Sequence, residues 1–417
     1  MPDGLQARCD FPMLHGKPEF RSLSCAPFRS VSSSALTPKN AEILFMKTSE
    51  SIRHRRKSWW ISILFLSSVS WGQQESGESR HELLFFPSID TFNNLTDSNS
   101  VDHDSFVRPA VDVLYSYSGD RFRFLGEYLL SNEESELERI KVGWQTGRNS
   151  MLWLGRYHTP AKFWTTEYHH GQFMQTTITR PGVEEWEDDS GPMPSHITGL
   201  SLEHESPRAG EVSTNYGFAV GLGPQFIGDE LVPFEPLDPE SGHDLSVNLR
   251  VAYKPSVLSL SQFGVLTAWN EINVVSESSP DLADLDHIRQ FTFGVFGDWQ
   301  RDQWRLLANF VYFNNELQYT AAPETDQFVA GYVQAEYRVS EDWTVFGRGD
   351  IGINVDESPY LRLLPAFISH RYMLGLRWDL ASFHSFMIEI ADTSAQGDGF
   401  SHDDFTEIRF QWSAVFP

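Results

Sequence analysis

The chain has 417 residues, enough for one large barrel or two or three ordinary domains. Its formal net charge is −25, and beyond residue 72 there are 22 basic against 52 acidic side chains, a balance of −30. Phosphate neutralisation drives nucleic-acid binding, so this charge excludes nucleic acid as a partner. No run of about 20 apolar residues is present to form a spanning helix.

Residues 1–45 show no clear periodicity and read as an over-extended start or a disordered leader. Arg53, Arg55, Arg56 and Lys57 precede the apolar run WWISILFLSSVS at 59–70, and the small residues Ser68, Ser70 and Gly72 lie at its end. These are the parts of a secretory signal peptide, placed at 46–72 with Met46 as its start. The competing reading of the run is a buried strand or core helix. Both cysteines, Cys9 and Cys25, lie upstream. The remaining chain therefore offers no disulfide, zinc–thiolate cluster or cysteine nucleophile.

From about residue 81 the sequence breaks into segments of period two. Leu245, Val247, Leu249, Val251 and Tyr253 share one face of LSVNLRVAYK, opposite Ser246, Asn248, Arg250, Ala252 and Lys254. Val107, Pro109, Val111, Val113, Tyr115 and Tyr117 alternate over a longer span, as do Val329, Gly331, Val333, Ala335, Tyr337 and Val339. Ordinary strands run about 5–6 residues, whereas tilted membrane-crossing strands need about 9–11. Sixteen segments are predicted: 82–89, 106–117, 121–131, 136–145, 150–158, 195–204, 213–223, 244–254, 258–271, 287–299, 303–315, 326–339, 342–354, 366–380, 384–392 and 404–416.

Tight turns mostly follow the even segments, and longer polar stretches follow the odd ones, including 90–105, 159–194, 224–243, 316–325 and 393–403. That is the loop parity of an outer-membrane barrel. It requires GQFMQTTITR, 171–180, to be loop; as a strand it would shift the count. The expected fold is all-β: an antiparallel transmembrane β-barrel of about sixteen strands over 73–417, with a long loop folded into the lumen. Such a barrel satisfies every backbone group and leaves no open edge.

The last segment reads FTEIRFQWSAVF, with Ile408, Phe410, Trp412, Ala414 and Phe416 on one face. It resembles the closing strand of Gram-negative outer-membrane β-barrels, where that strand is also the assembly signal. Pro417 stands beyond the aromatic at which the family normally ends. The resemblance implies a cell outer-membrane location, with outer-membrane lipids and the barrel assembly machinery as partners.

The most distinctive stretch is GRYHTPAKFWTTEYHHGQFMQTTITRP at 155–181. It resembles the loop of general porins that folds inward and narrows the channel. It is also similar to a stretch of uncharacterised proteobacterial porin-like proteins, carried here by Gly155, Arg156, Tyr157, His158 and Pro160, then Trp164, Tyr168, His169, His170 and Gly171, and finally Arg180 and Pro181. The resemblance implies passive diffusion of small hydrophilic solutes and, as in general porins, a homotrimer.

Arg156, His158, His169, His170 and Arg180 are the candidate constriction residues. Arg123, Arg139, Arg250, Arg348 and Arg377 lie on faces opposite the apolar ones, hence on the lumen wall. Rings of such cations would prefer anions. The alternative is a wall whose charges pair among themselves. The histidines have no standard metal-ligand spacing, and packing the loop is the favoured reading over a metal. No cofactor is implied. No G-x-S-x-G is present, and no enzyme is expected. Two other readings stand beside the channel: a non-conducting barrel acting as a structural or surface-interaction protein, and a secreted soluble β protein.

Overall fold

The computed structural model describes residues 79–96, 105–132, 135–168, 172–187, 190–207, 212–237, 239, 242–255, 259–275, 282, 284–397 and 400–417. The leader, the signal segment and both cysteines lie outside them.

Among the described residues, eighteen strands follow in chain order. The first nine are β1 (Arg80–Asn94), β2 (Phe106–Ser118), β3 (Phe122–Ser131), β4 (Ser135–Gly147), β5 (Ser150–His158), β6 (His196–Pro207), β7 (Ser213–Leu222), β8 (Gln225–Ile227) and β9 (Glu230–Val232). Then come β10 (Leu245–Lys254), β11 (Gln262–Val275), β12 (Leu285–Arg301), β13 (Trp304–Tyr319) and β14 (Pro323–Arg338). The last four are β15 (Trp343–Ile353), β16 (Phe367–Ala381), β17 (His384–Gly397) and β18 (Phe400–Ala414). One short helix, α1 (Phe163–Glu167), lies in the connection after β5.

Setting aside the hairpin β8–β9, sixteen strands pair antiparallel with their chain neighbours, and β1 pairs with β18 to close the ring. The seam runs from Ser88↔Ser413 to Asn94↔Glu407. Beyond it, Phe416 and Phe85 exchange both backbone hydrogen bonds at 2.9 Å. The hairpin fills the gap above β10, with β8 lying parallel to the far end of β11.

Period two puts one side of every strand outward, and that side is apolar. Leu374 is 68% exposed and Tyr372 61%, amid a ring of exposed Phe, Leu, Val and Ile. Such a band is stable only against lipid. Near the short turns it becomes aromatic: Trp343 stacks on Trp378 at 5.3 Å, and Trp304 meets Tyr337 at 4.7 Å. These pairs form an interfacial girdle.

The expected strand count holds, and the bounds differ. Residues 175–180 carry no strand, so the connection after β5 is one loop and the parity stands. The expected loops at 316–325 and 393–403 are mostly hairpin: β13 and β14 are joined by 320–322, and β17 and β18 by 398–399. On these ends the outward face turns polar, as in Asn314, Glu316 and Gln318, while Phe313 and Leu317 stay inward. A strand projecting beyond the membrane loses its apolar period, which was the signal used to find it. For the same reason the first strand extends past the predicted 82–89.

Candidate functional site

The loop 159–195 enters the barrel, and its apolar residues explain where it rests. Phe163 and Trp164 of α1, with Tyr168, Val183 and Met193, join one buried cluster with Leu266 of β11, Phe296 of β12, Leu307 and Val311 of β13, and Tyr332 of β14. The Phe163 ring stacks on Phe296 at 4.7 Å, and Trp164 meets Tyr332 edge-on at 5.8 Å. Tyr360, Leu361 and Leu364 of the connection before β16 complete the cluster. The Tyr360 hydroxyl and the Gln290 amide both donate to the Pro192 carbonyl, at 2.9 and 2.8 Å. Each fully buried large side chain contributes about 1.5–3 kcal/mol. On β11–β14 the faces opposite the lipid are therefore in part apolar seats for the loop, with Arg305 and Asp298 paired at 2.7 Å on the same inward side.

A polar clamp holds the other side. Arg348 of β15 donates to the Thr179 carbonyl (2.8 Å), the Thr179 hydroxyl (3.0 Å) and the Arg180 carbonyl (2.9 Å). Arg371 of β16 reaches the same Arg180 carbonyl at 2.9 Å. Arg377 donates to the carbonyls of Phe173 (2.8 Å) and Gln175. Glu389 of β17 accepts the backbone N–H groups of Ile178 (2.8 Å) and Thr179 (3.1 Å). A loop buried in a barrel must satisfy its backbone, and the wall supplies the partners. The approach is close: a Cβ on Gly182 would lie 2.7 Å from that of Ile368.

The third cluster sits where β4, β5 and β6 meet the loop. Strand alternation breaks here. Glu138 and Arg139 are both buried, as are Arg156 and Tyr157, and Gly155 has φ 137°. Only glycine fits at that strand position, because a Cβ would fall 2.1 Å from the Ile140 carbonyl oxygen. Arg156, fully buried, pairs with Glu136 (2.5 Å) and with Glu235 (2.7 Å). His158 closes β5 directly opposite His196, which opens β6. Both Nε2 atoms face one oxygen of Glu138, at 3.4 and 3.1 Å. Glu187 of the loop faces His196 Nδ1 at 2.8 Å. Trp186 stacks on His196 at 5.3 Å, and the Arg180 guanidinium lies 3.6 Å from the Trp186 ring centre. Among the described residues, Glu138, His158 and His196 are the set able to share a metal ion, their donor atoms all within 4.8 Å of one another.

The loop also buries two titratable groups outside the membrane-crossing strands, Glu184 and Lys162. Burial pushes Glu184 up to about 7, against the pull of Lys162 and a hydrogen bond from Asn309. Burial pushes the Lys162 ammonium down to about 8, against Glu187 and Glu184.

The candidate residues thus separate. His158 and Arg180 meet at Trp186, while Arg156 is held by Glu136 and Glu235. Arg348 and Arg377 belong to the clamp. Arg139 pairs with Glu127. Arg250 holds Glu167 of α1 at 2.7 Å. Arg123 stays at the turn end, donating to the carbonyls of Gly119 and Phe122. His169 and His170 lie outside the described residues. Sequence reading missed Glu138 and His196. The strand register was the available signal for His196, since pairing β5 with β6 sets it opposite His158.

No protein-family model and no curated protein matches the sequence. Solved structures do resemble it. An anion-selective porin from Comamonas acidovorans superposes with a TM-score of 0.56 at 11% identity, over 81% of this chain and 100% of that one. The outer membrane channel DcaP of Acinetobacter baumannii gives 0.51 at 10% identity, over 83% and 99%. Salmonella typhi OmpF, in complex with daunomycin, gives 0.51 at 10% identity, over 81% and 97%. The fold is that of the outer-membrane porins: a closed, sixteen-stranded, antiparallel transmembrane barrel.

Proposed function

We propose that this chain is a porin-like channel of the Gram-negative outer membrane, passing small hydrophilic solutes by diffusion. The observation that carries the reading is the loop 159–195, docked inside a closed barrel with its aromatic side on β11–β14. In this reading the water-filled path runs beside the wall of β15–β18 and β1–β4, opposite the aromatic seat of the loop. Outer-membrane lipids cover the apolar band, the assembly machinery reads the Phe416 end, and the porin likeness supports a homotrimer.

The finer expectation, anion preference, draws support from the anion-selective porin among the similar structures. Against it, Arg156, Arg348 and Arg377 are engaged by carboxylates or loop carbonyls. A non-conducting barrel is the second reading. Its support is that Asp90, Asp112, Glu127, Arg139, Arg348, Arg371, Glu389 and Glu407 are each at most 5% exposed, so the lumen at their depth is filled.

Planar-bilayer recording decides between these readings. Discrete conductance steps support the channel, and their absence in every salt supports the closed barrel. Reversal potentials in a salt gradient settle the charge preference, a cation-selective value removing the anion reading alone.

A further inference from the structure

We propose that Glu138, His158 and His196 form a binding site for a divalent transition-metal cation of the zinc class, with Glu187 orienting His196.

The geometry fits such an ion. Zinc is held tetrahedrally by nitrogen and oxygen at about 2.0–2.1 Å, which places neighbouring donors about 3.3–3.4 Å apart. The Glu138 oxygen lies 3.1 Å from His196 Nε2 and 3.4 Å from His158 Nε2. All three donor atoms fall within 4.8 Å of one another. The scaffold is rigid, because the ligands come from three adjacent strands and the two histidines are direct cross-strand partners.

The surroundings are those of a metal ligand set. Glu187 faces His196 Nδ1 at 2.8 Å and also accepts the backbone N–H groups of Ser195 and His196. A carboxylate on Nδ1 holds the proton there and leaves the Nε2 lone pair for a cation, the usual support of a metal-bound histidine. The neighbouring Arg156 guanidinium is neutralised by its own carboxylates, Glu136 and Glu235. Two imidazoles and one carboxylate select zinc, nickel, cobalt or copper over magnesium and calcium, which take all-oxygen sets. Three protein ligands leave a fourth position for water. Hydrogen bonding alone accounts for the cluster less well, since two imidazoles on one oxygen at 3.1 and 3.4 Å are long for charge-assisted bonds of about 2.7–2.9 Å.

The site does not depend on conduction and is tested on detergent-solubilised barrel whose folding is verified by heat-modifiable gel migration. Zinc chloride titrated by calorimetry is expected to bind at one equivalent per chain, with no competition from excess magnesium. Cobalt(II) is expected to give the strong visible absorption of a tetrahedral N/O site, a readout that needs no variant. His158→Ala and His196→Ala should each weaken zinc by about 100-fold, and Glu187→Gln by about 10- to 100-fold with unchanged stoichiometry. Glu138→Gln, nearly isosteric, serves where a histidine variant fails to fold. Zinc binding no tighter than magnesium, a purely octahedral cobalt spectrum, or zinc affinity unchanged in the folded variants would overturn the assignment.

Discussion

The two halves of the barrel treat the same alternating pattern differently. Along β15–β18 and β1–β3 the inward positions are mostly polar or charged, as with Glu407, Arg409, Gln411 and Ser413 on β18. Along β11–β14 many inward positions are as apolar as the outward ones. On β13, Leu307, Val311, Phe313 and Leu317 are buried inside, while Leu306 and Tyr312 face lipid. One half interfaces a polar lumen with lipid. The other places lipid on one side and a folded loop on the other. A barrel strand's inner face therefore reports what fills the lumen beside it.

The largest break in this contrast is removal of 163–190. With its occupant gone, the apolar half faces water, and conductance should rise several-fold or appear where none existed. Unchanged conductance would show that the loop does not bound the path. Trp164→Ala is the point version, expected to loosen the loop by about 4 kcal/mol through the cavity it leaves against Tyr332. The readout is hydrogen exchange of 160–187 with the strands still protected. Arg348→Met tests the opposite wall. Leaving Asp350, 3.2 Å from Arg348, and the Thr179 carbonyl without this donor should cost about 3 kcal/mol of the same protection.

Acidity adds a graded test. Glu184 titrates near 7 when docked and near 4.5 when exposed, so the docked loop holds its proton more tightly. Its contribution is fully present below about pH 4.5 and is lost as pH rises through 7. Loop protection, corrected for intrinsic exchange, should fall by up to about 3 kcal/mol over that range. Glu184→Gln should abolish this component, and a slope that persists in the variant assigns it to another group. The smallest effect is expected at the seam, which lies wholly in the charged half. Deleting Pro417 should leave or improve assembly, whereas Phe416→Ala, losing an edge contact on His384 at 5.6 Å, should lower barrel yield. Equal yields would show that this end is not the assembly signal.

The sequence made the charged half legible and the apolar half only partly so. Where lumen and lipid differ, period two locates every strand and assigns its faces, as in LSVNLRVAYK. On β12 and β14 length and aromatic content still located the strands, but nothing local said what covered Phe296 or Tyr332. That answer lies more than a hundred residues away, in Phe163 and Trp164. The lumenal arginines were legible as lumenal, and their engagement was not, because Arg348 is 169 residues from Thr179. His196 escaped because its partner His158 sits across a 37-residue connection. The break in alternation at Gly155 hid Glu138 in the same way, since simple parity cannot place both Glu138 and Arg139 in buried positions.

The clamp has a mechanical consequence. The loop leaves the wall at β5 and β6 and is fastened again on β11–β17, so the barrel is a hoop with a chord tied across it. A bare hoop ovalises under lateral load from the bilayer, whereas a chorded one carries that load as tension and compression along the tie. Residues 173–180, bonded to three successive strands, are the fastening point. Cutting the chord should therefore soften the barrel's cross-section under lateral load, even in strands that never touch the loop.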